Sequence, residues 1–296
     1  MIVTVILILL CVLGSAFLAT LLHAARRRGQ LRPSLEAIGL GAVTNFFDTL
    51  GIGSFAPTTA WLKLRRCVPD SFLPATLNSG HALPTVVQAV VFIHLVRVDP
   101  WLLCGCIAAA VCGAALGARW VVRVPVRVVQ GVVGVAMLLA AALYALANLK
   151  LMPAGGQALG LDGAGFAVAV SAHLMLGALM SFGIGLYAPS LILLSLLGLE
   201  PTAAFPVMMG ACAFLMPVSG MRFVRSARID LRVVLGLALG GIPAVVLAAF
   251  VVRSLTLENL RWGVVVVVLY AAIALLRSAL RAPSPVPAPD LIRPST

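Results

Sequence analysis

GIGSFAP at residues 51–57 recurs as GIGLYAP at residues 183–189, and this repeated stretch decides the fold of the chain. Five of the seven positions are identical, and a sixth pairs Phe55 with Tyr187. Beyond the stretch, further leucines and prolines coincide without a gap in the same register, 132 residues apart (51 to 183). Shared glycine alone does not produce such a match, so an internal duplication is the simplest explanation.

The composition is that of a membrane protein. The chain has 296 residues, 62% hydrophobic and 10% charged, with a mean hydropathy of +1.12, whereas soluble domains are about half apolar and about a quarter charged. A soluble core is excluded, and the lipid bilayer is the expected surrounding. Uncharged stretches long enough for a crossing, about 20 residues, cover 2–25, 71–96, 100–118, 128–149, 163–199, 201–221 and 233–252.

The net charge of +12 indicates membrane orientation rather than a nucleic-acid partner. Its basic residues form short clusters between apolar segments and do not line one face. One cluster, at residues 26–32, follows the first apolar segment, which predicts an N-terminus outside the cell and a cytoplasmic loop. Because the first segment lacks the basic start of a signal peptide, we expect it to be retained as a transmembrane helix.

Each copy of the motif interrupts a long apolar stretch, residues 34–64 in the first half and 163–199 in the second. Glycine and proline disfavour a continuous helix, so each stretch is predicted to be a broken element of two half-helices. Basic clusters lie on both flanks of the first stretch, at residues 26–32 and 63–66. Since both flanks are then cytoplasmic, this stretch is predicted to be a re-entrant hairpin that enters and leaves on one side.

The predicted fold is an all-α polytopic membrane protein with two inverted-topology repeats. Each repeat is a broken re-entrant hairpin plus three transmembrane helices, and one extra transmembrane helix precedes them. Most of the 21 lysines and arginines then fall on inner loops, and the C-terminus is cytoplasmic. The predicted units are the N-terminal helix and basic loop (1–32), repeat 1 (33–149), repeat 2 (150–282) and a Pro-rich disordered tail (283–296).

This architecture favours transport of an anion. Inverted repeats with broken helices are the usual plan of secondary transporters, in which two similar halves open alternately to either side. Each second half-helix begins at its break, near residues 55–59 and 187–190, with unpaired N–H groups and its positive dipole end directed at the break. The sequence therefore predicts a secondary transporter that holds a small anion at paired half-helix N-termini.

The candidate substrate-binding residues are glycines and polar residues of the two breaks, with two polar residues of the helix after the first break. They are Asn45, Asp48, Gly51, Gly53, Ser54, Thr58, Thr59, Asn78, His81, Ser181, Gly183, Gly185, Tyr187 and Ser190. The glycines allow close approach of the backbone, although tight helix packing is the alternative. No catalytic residue, metal site or cofactor is predicted, since Cys104 and Cys106 lack a partner set.

Asp48 is the most informative of these residues. A carboxylate in a membrane segment costs about 2.5–3.5 kcal/mol on insertion scales and is a functional hypothesis by default. Two interpretations stay open: Asp48 caps a half-helix or binds loop amides, or it takes up a proton and couples proton and anion movement. His81 and His173 likewise either line the path or are hydrogen-bonded packing residues.

The repeated Gly-rich break with its following proline resembles the sulfite exporter TauE/SafE family of bacterial membrane permeases. The resemblance covers nearly the whole chain, although Ser54 stands where the family usually has a third glycine. It implies export or exchange of a sulfur oxyanion or organosulfonate across the bacterial inner membrane, with a coupled proton or cation as a further partner.

Three other functions compete with this interpretation. An intramembrane enzyme would need a catalytic set, but the sequence has no His-Glu-x-x-His, no Gly-x-Ser-x-Gly and no paired membrane aspartates. A passive anion channel also uses dipole-lined sites, and it is distinguished from a carrier by flux without obligatory countertransport. A membrane assembly factor would show no stabilisation by a ligand.

Overall fold

The computed structural model describes residues 2–51, 53–69, 72–120, 156–180, 185–225, 229–254 and 257–280, together with scattered helical positions between 131 and 149. The predicted crossing at 128–149 therefore lies largely outside the described residues, and the tail at 283–296 lies wholly outside them. Within the described part the elements are α-helices, as expected. They are α1 Ile2–Arg27, α2 Leu35–Thr49, α3 Phe55–Leu64, α4 Leu73–Gly80, α5 Ala82–Leu95, α6 Pro100–Trp120, α7 Gly163–Met180, α8 Tyr187–Leu196, α9 Pro201–Arg225, α10 Leu231–Ser254 and α11 Leu257–Leu280.

Four of the described helices are long and apolar enough to cross a membrane: α1, α7, α9 and α10. Helices α1, α9 and α10 coincide with predicted crossings. Helix α7 was expected to be a half-helix, yet at 18 residues it has nearly the length of a crossing. The centre of the bundle is α9, which packs against α5 through stacked rings of Phe92 and Phe205, with ring centroids 5.4 Å apart.

Both predicted helix breaks are present. Broken segment 1 (residues 35–64) consists of α2 and α3, and broken segment 2 (residues 163–196) consists of α7 and α8. In the first break Gly51 and Gly53 have φ angles of +94° and +85°, which only glycine adopts without strain. Helices α3 and α8 begin at the predicted positions, and each carries its proline in the first turn, where a missing N–H costs no helical hydrogen bond.

A third interruption was not expected. The apolar stretch 71–96 was predicted as one continuous crossing, but the structure divides it at His81 into α4 and α5. Pro84 explains the division, because it has no N–H to donate to the carbonyl of Gly80 and its ring crowds that carbonyl. Helix α9 nevertheless stays continuous through Pro206 and Pro217.

The outer ends of broken segment 1 meet at one end of the bundle. Glu36, in the first turn of α2, accepts hydrogen bonds from Trp61 Nε1 at 2.9 Å and from Arg65 Nε at 3.0 Å. The hydrogen bonds from Arg65 and Trp61 hold the pKa of Glu36 below its usual value. The junction between α9 and α10 lies at the same end, since Ser34 N donates to Arg232 O at 3.0 Å.

The outer ends of broken segment 2 meet at the other end of α9. Ala158 N donates to Gly198 O at 3.2 Å, and Glu200 N donates to Ala158 O at 2.8 Å. Glu200 directly precedes α9, whereas Arg28 Nη2 binds the carbonyl of Val224 in the last turn of that helix at 2.7 Å. The 25 residues of α9 span about 37 Å, so the two broken segments open toward opposite ends of the bundle.

Each first half-helix lies along a partner helix at a distance that only glycine permits. Helix α2 packs on α10, where a Cβ at Gly41 would collide with the backbone of Leu237. Helix α7 packs on α6, where a Cβ at Gly177 would collide with the backbone of Ala110. The register of the repeated motif relates α2 to α7 and, one residue later, α6 to α10, so the two pairs correspond.

Candidate functional site

A cluster of buried polar side chains lies where the first helix break meets α5. Asp48 Oδ1 accepts the backbone N–H of Ser54, directly before α3, and Asp48 Oδ2 accepts Gln88 Nε2 at 2.9 Å. All three residues are at most 3% exposed. Asp48 therefore binds a loop amide, which is the first of the two interpretations that the sequence left open.

Gln88 joins this break to the second one. Its Nε2 also donates to Thr49 Oγ1 at 2.9 Å, and its Oε1 accepts the hydroxyl of Tyr187 at 2.6 Å. Tyr187 is the first residue of α8 and is 5% exposed. A continuous chain of hydrogen bonds thus runs from the N-terminus of α3 through Asp48 and Gln88 to the N-terminus of α8.

His81, at the division between α4 and α5, is held between two residues of broken segment 1. Its Nδ1 lies 3.0 Å from Asn45 Oδ1, and its Nε2 lies 3.1 Å from Thr58 Oγ1. Since Asn45 Nδ2 donates to Gly41 O, the amide oxygen of Asn45 faces the ring, and Nδ1 carries the proton. In the neutral ring Nε2 then accepts the hydroxyl of Thr58.

The second break has a corresponding pair. His173 Nδ1 donates to Ala169 O at 2.8 Å, so its Nε2 accepts the hydroxyl of Ser190 at 2.9 Å. Ser190 occupies the register position of Thr58, 132 residues away. Each second half-helix therefore offers a hydroxyl in its first turn to the Nε2 of a buried histidine, although the two histidines come from different helices.

The charge of Asp48 is stabilised by neutral donors. Ser54 and Gln88 are its hydrogen-bond partners in the described structure, and neither carries a charge. The carboxylate lies between the C-terminal end of α2, whose dipole disfavours it, and the N-terminal end of α3, whose dipole favours it. Asp48 thus occupies the helix tip that was predicted to hold an anion, and a substrate anion there must displace or neutralise it.

The structure brings six of the predicted site residues into one hydrogen-bonded cluster: Asn45, Asp48, Ser54, Thr58, His81 and Tyr187. Gly51 lies beside them, because a Cβ there would stand 3.2 Å from the side chain of Leu191 on α8. Asn78 bonds within its own helix, to Pro74 O at 2.9 Å.

The other predicted residues lie apart from that cluster. Thr59 is partly exposed, Ser190 binds His173, and a Cβ at Gly53 or Gly185 would meet nothing within 4 Å. Gly53 thus serves the turn through its positive φ rather than a close approach. Ser181 and Gly183 lie outside the described residues.

Gln88 was missed by the sequence analysis, although a signal existed. It is the one glutamine in the uncharged stretch 71–96, and it continues the buried polar face of Asn78, His81 and Thr85 at helical spacing. Glutamine is neutral and costs less than a charge in a membrane segment, so it did not stand out. In the described residues no group of three His, Cys, Asp or Glu side chains is placed to hold a metal ion.

Comparisons with known proteins add no relative to this picture. Neither a protein-family model, a curated protein nor a solved structure matches the chain. The resemblance to the TauE/SafE family therefore rests on the two copies of the Gly-rich break alone.

Proposed function

We propose that this protein is a secondary transporter that moves a small anion across the bacterial inner membrane by alternating access. The observation that carries the proposal is the buried chain Asp48–Gln88–Tyr187, which joins the first residues of two interrupted helices inside an apolar bundle. Polar groups are costly in such a bundle and are kept at substrate or ion pathways.

Two features support inverted repeats. The α2–α10 and α7–α6 contacts correspond in the register of the repeated motif, as two halves related by a pseudo-twofold axis require. The two broken segments also open toward opposite ends of α9. Interpreted as re-entrant hairpins, segment 1 enters from the cytoplasm and segment 2 from outside, with the N-terminus outside and the C-terminus in the cytoplasm.

The proposed substrate is an anion because two helix N-termini are directed at the breaks. One terminus favours an anion by about 0.3–1 kcal/mol when exposed and by up to about 2 kcal/mol when partly buried. The carboxylate of Asp48 already shows one such tip binding an anionic group. Export of a sulfur oxyanion or organosulfonate is the substrate class that the family resemblance suggests, with a proton or cation coupled to it.

Counterflow in proteoliposomes tests the proposal. We expect purified protein to take up radiolabelled sulfite faster when the vesicles are preloaded with unlabelled sulfite, with competition from sulfate, thiosulfate or taurine. Tyr187→Ala should reduce uptake at least tenfold, whereas Thr76→Val, a buried change outside the cluster, should not. Uptake that no preloaded anion accelerates, and that carries current, would indicate a channel. The absence of uptake for all four anions would contradict the proposal.

A further inference from the structure

We infer that Gln88 is the positioning residue that transmits the protonation of Asp48 to the second half-helix, α8. Its side-chain amide rotates when the carboxylate takes up a proton, and this rotation reverses the hydrogen bond to Tyr187. The inference rests on the proposed function, because such a link matters only if the two breaks move in a transport cycle.

The direction of the hydrogen bonds is the first step. The hydroxyl of Tyr187 donates to Gln88 Oε1, Gln88 Nε2 donates to Asp48 Oδ2, and the N–H of Ser54 donates to Asp48 Oδ1. Every donor in the chain is directed toward Asp48, which is the arrangement of an ionised carboxylate that only accepts. Gln88 has no free donor or acceptor direction, since its second N–H binds Thr49 Oγ1.

Protonation makes this arrangement untenable. A proton from water adds to Asp48 Oδ2, which becomes a hydroxyl and faces the Nε2 donor of Gln88. Two donors cannot bond to each other, and an unmade hydrogen bond at this depth costs more than a rotation of the amide. Rotation presents Oε1 to the new O–H and Nε2 to the oxygen of Tyr187, whose own O–H is then released.

The neighbouring titratable groups do not produce the same effect. His81, between α4 and α5, keeps both its partners in either protonation state, because the hydroxyl of Thr58 can rotate from donor to acceptor. Cys212, on α9, lies within the electrostatic reach of Asp48, and its Sγ donates to Met180 Sδ at 3.5 Å. Helix α10 meets α2 through glycines and leucine. Protonation of Asp48 is thus the change that reorients the chain.

One consequence concerns the coupled ion. A neutral Asp48 binds the N–H of Ser54 less strongly than a carboxylate does, so the tip of α3 becomes available to a substrate anion. Proton and anion are then bound together, and each raises the affinity for the other. The expected mode is movement of both in the same direction.

The test follows the proton itself, by infrared spectroscopy of the purified full-length protein in lipid vesicles. The carboxylic C=O band of buried Asp48 should appear as the pH is lowered and be absent in Asp48→Asn. In Gln88→Leu the carboxylate loses a donor, so the band should appear at a pH higher by about one to two units. Tyr187→Phe keeps the ring and should raise the midpoint by a smaller amount, because Tyr187 acts on Asp48 only through Gln88. Thr76→Val is the control and should leave the midpoint unchanged.

The outcomes separate the two proposals. Equal midpoints in wild type, Gln88→Leu and Tyr187→Phe would overturn the role of Gln88, even if sulfite transport is observed. If Gln88→Leu does not fold, the midpoint of Tyr187→Phe decides alone. Shifted midpoints without uptake of any tested anion would support the link and contradict the proposed function. With uptake, the pH profile of transport should shift in the same order as the band.

Discussion

Single hydroxyl groups show how selectively this bundle uses polarity. Thr58 and Ser190 hold the same register position, and each binds a buried histidine. By contrast the hydroxyls of Thr76, Ser79 and Ser195 are buried without a hydrogen-bond partner in the described structure. A buried hydroxyl stabilises the fold only when it is paired, so these two groups of residues should respond differently to substitution.

Replacing Thr58 and Thr76 separately by valine tests this difference. Thr58→Val leaves His81 Nε2 without its partner and should lower the free energy of unfolding by about 1–3 kcal/mol. Thr76→Val removes an unpaired hydroxyl at nearly constant volume and should be neutral or stabilising. Unfolding of the purified variants in mixed micelles of increasing SDS content measures both. Equal destabilisation by the two changes would contradict the assigned hydrogen bonds.

Most residues of the cluster could be predicted from the sequence, and the reason is chemical. Asn45, Asp48 and His81 are conspicuous because polar groups in apolar stretches need a purpose. Their partners were not predictable, since His81 and Asn45 are 36 positions apart and meet only through the packing of α2 against α5. Gln88 was missed for the same reason, because its role depends on the position of Tyr187.

Among the helices, glycine determines how closely pairs approach. Gly41 and Gly39 lie in the same helix, α2, but only Gly41 faces the backbone of α10. A Cβ at Gly39 would meet nothing within 4 Å, and its φ lies outside the left-handed region. The two positions therefore form a matched pair.

Gly41→Ala should destabilise the protein, and Gly39→Ala should not. The added methyl group at position 41 must push α2 away from Leu237, which we expect to cost about 1–3 kcal/mol, as overpacked cores do. At position 39 alanine should be neutral or stabilise by up to about 1 kcal/mol through helix propensity. SDS unfolding again gives both values. A tolerated Gly41→Ala would show that α2 and α10 are not in close contact.

The helix breaks were predictable because glycine and proline act locally. Positive φ at Gly51 and Gly53 and a proline in the next turn suffice to end one helix and begin another. The division at His81 was missed although Pro84 was visible, since Pro206 and Pro217 of α9 show that proline alone does not decide. Whether a proline kinks a helix or divides it depends on neighbours that the sequence does not specify.

In the molecule as a whole, the order of helices places the two broken segments at opposite ends of α9. The outer ends of segment 1 lie with the basic clusters around Arg28 and Arg232, and those of segment 2 lie beside Ala158 and Glu200. This arrangement agrees with the sequence prediction, because the positive-inside rule assigns the two ends to opposite faces. What the sequence could not supply is the contact between the two breaks through Gln88.

The most direct test of the opposed arrangement is the sidedness of single cysteines in a cysteine-free background. Arg32→Cys and Arg65→Cys mark the open end of segment 1, and Gln157→Cys and Glu200→Cys mark that of segment 2. In intact cells a membrane-impermeant maleimide should label positions 157 and 200 only, and positions 32 and 65 should react after the cells are opened. Labelling of both pairs from the same side would contradict inverted segments that meet at a shared polar cluster, and the proposal of an anion carrier with them.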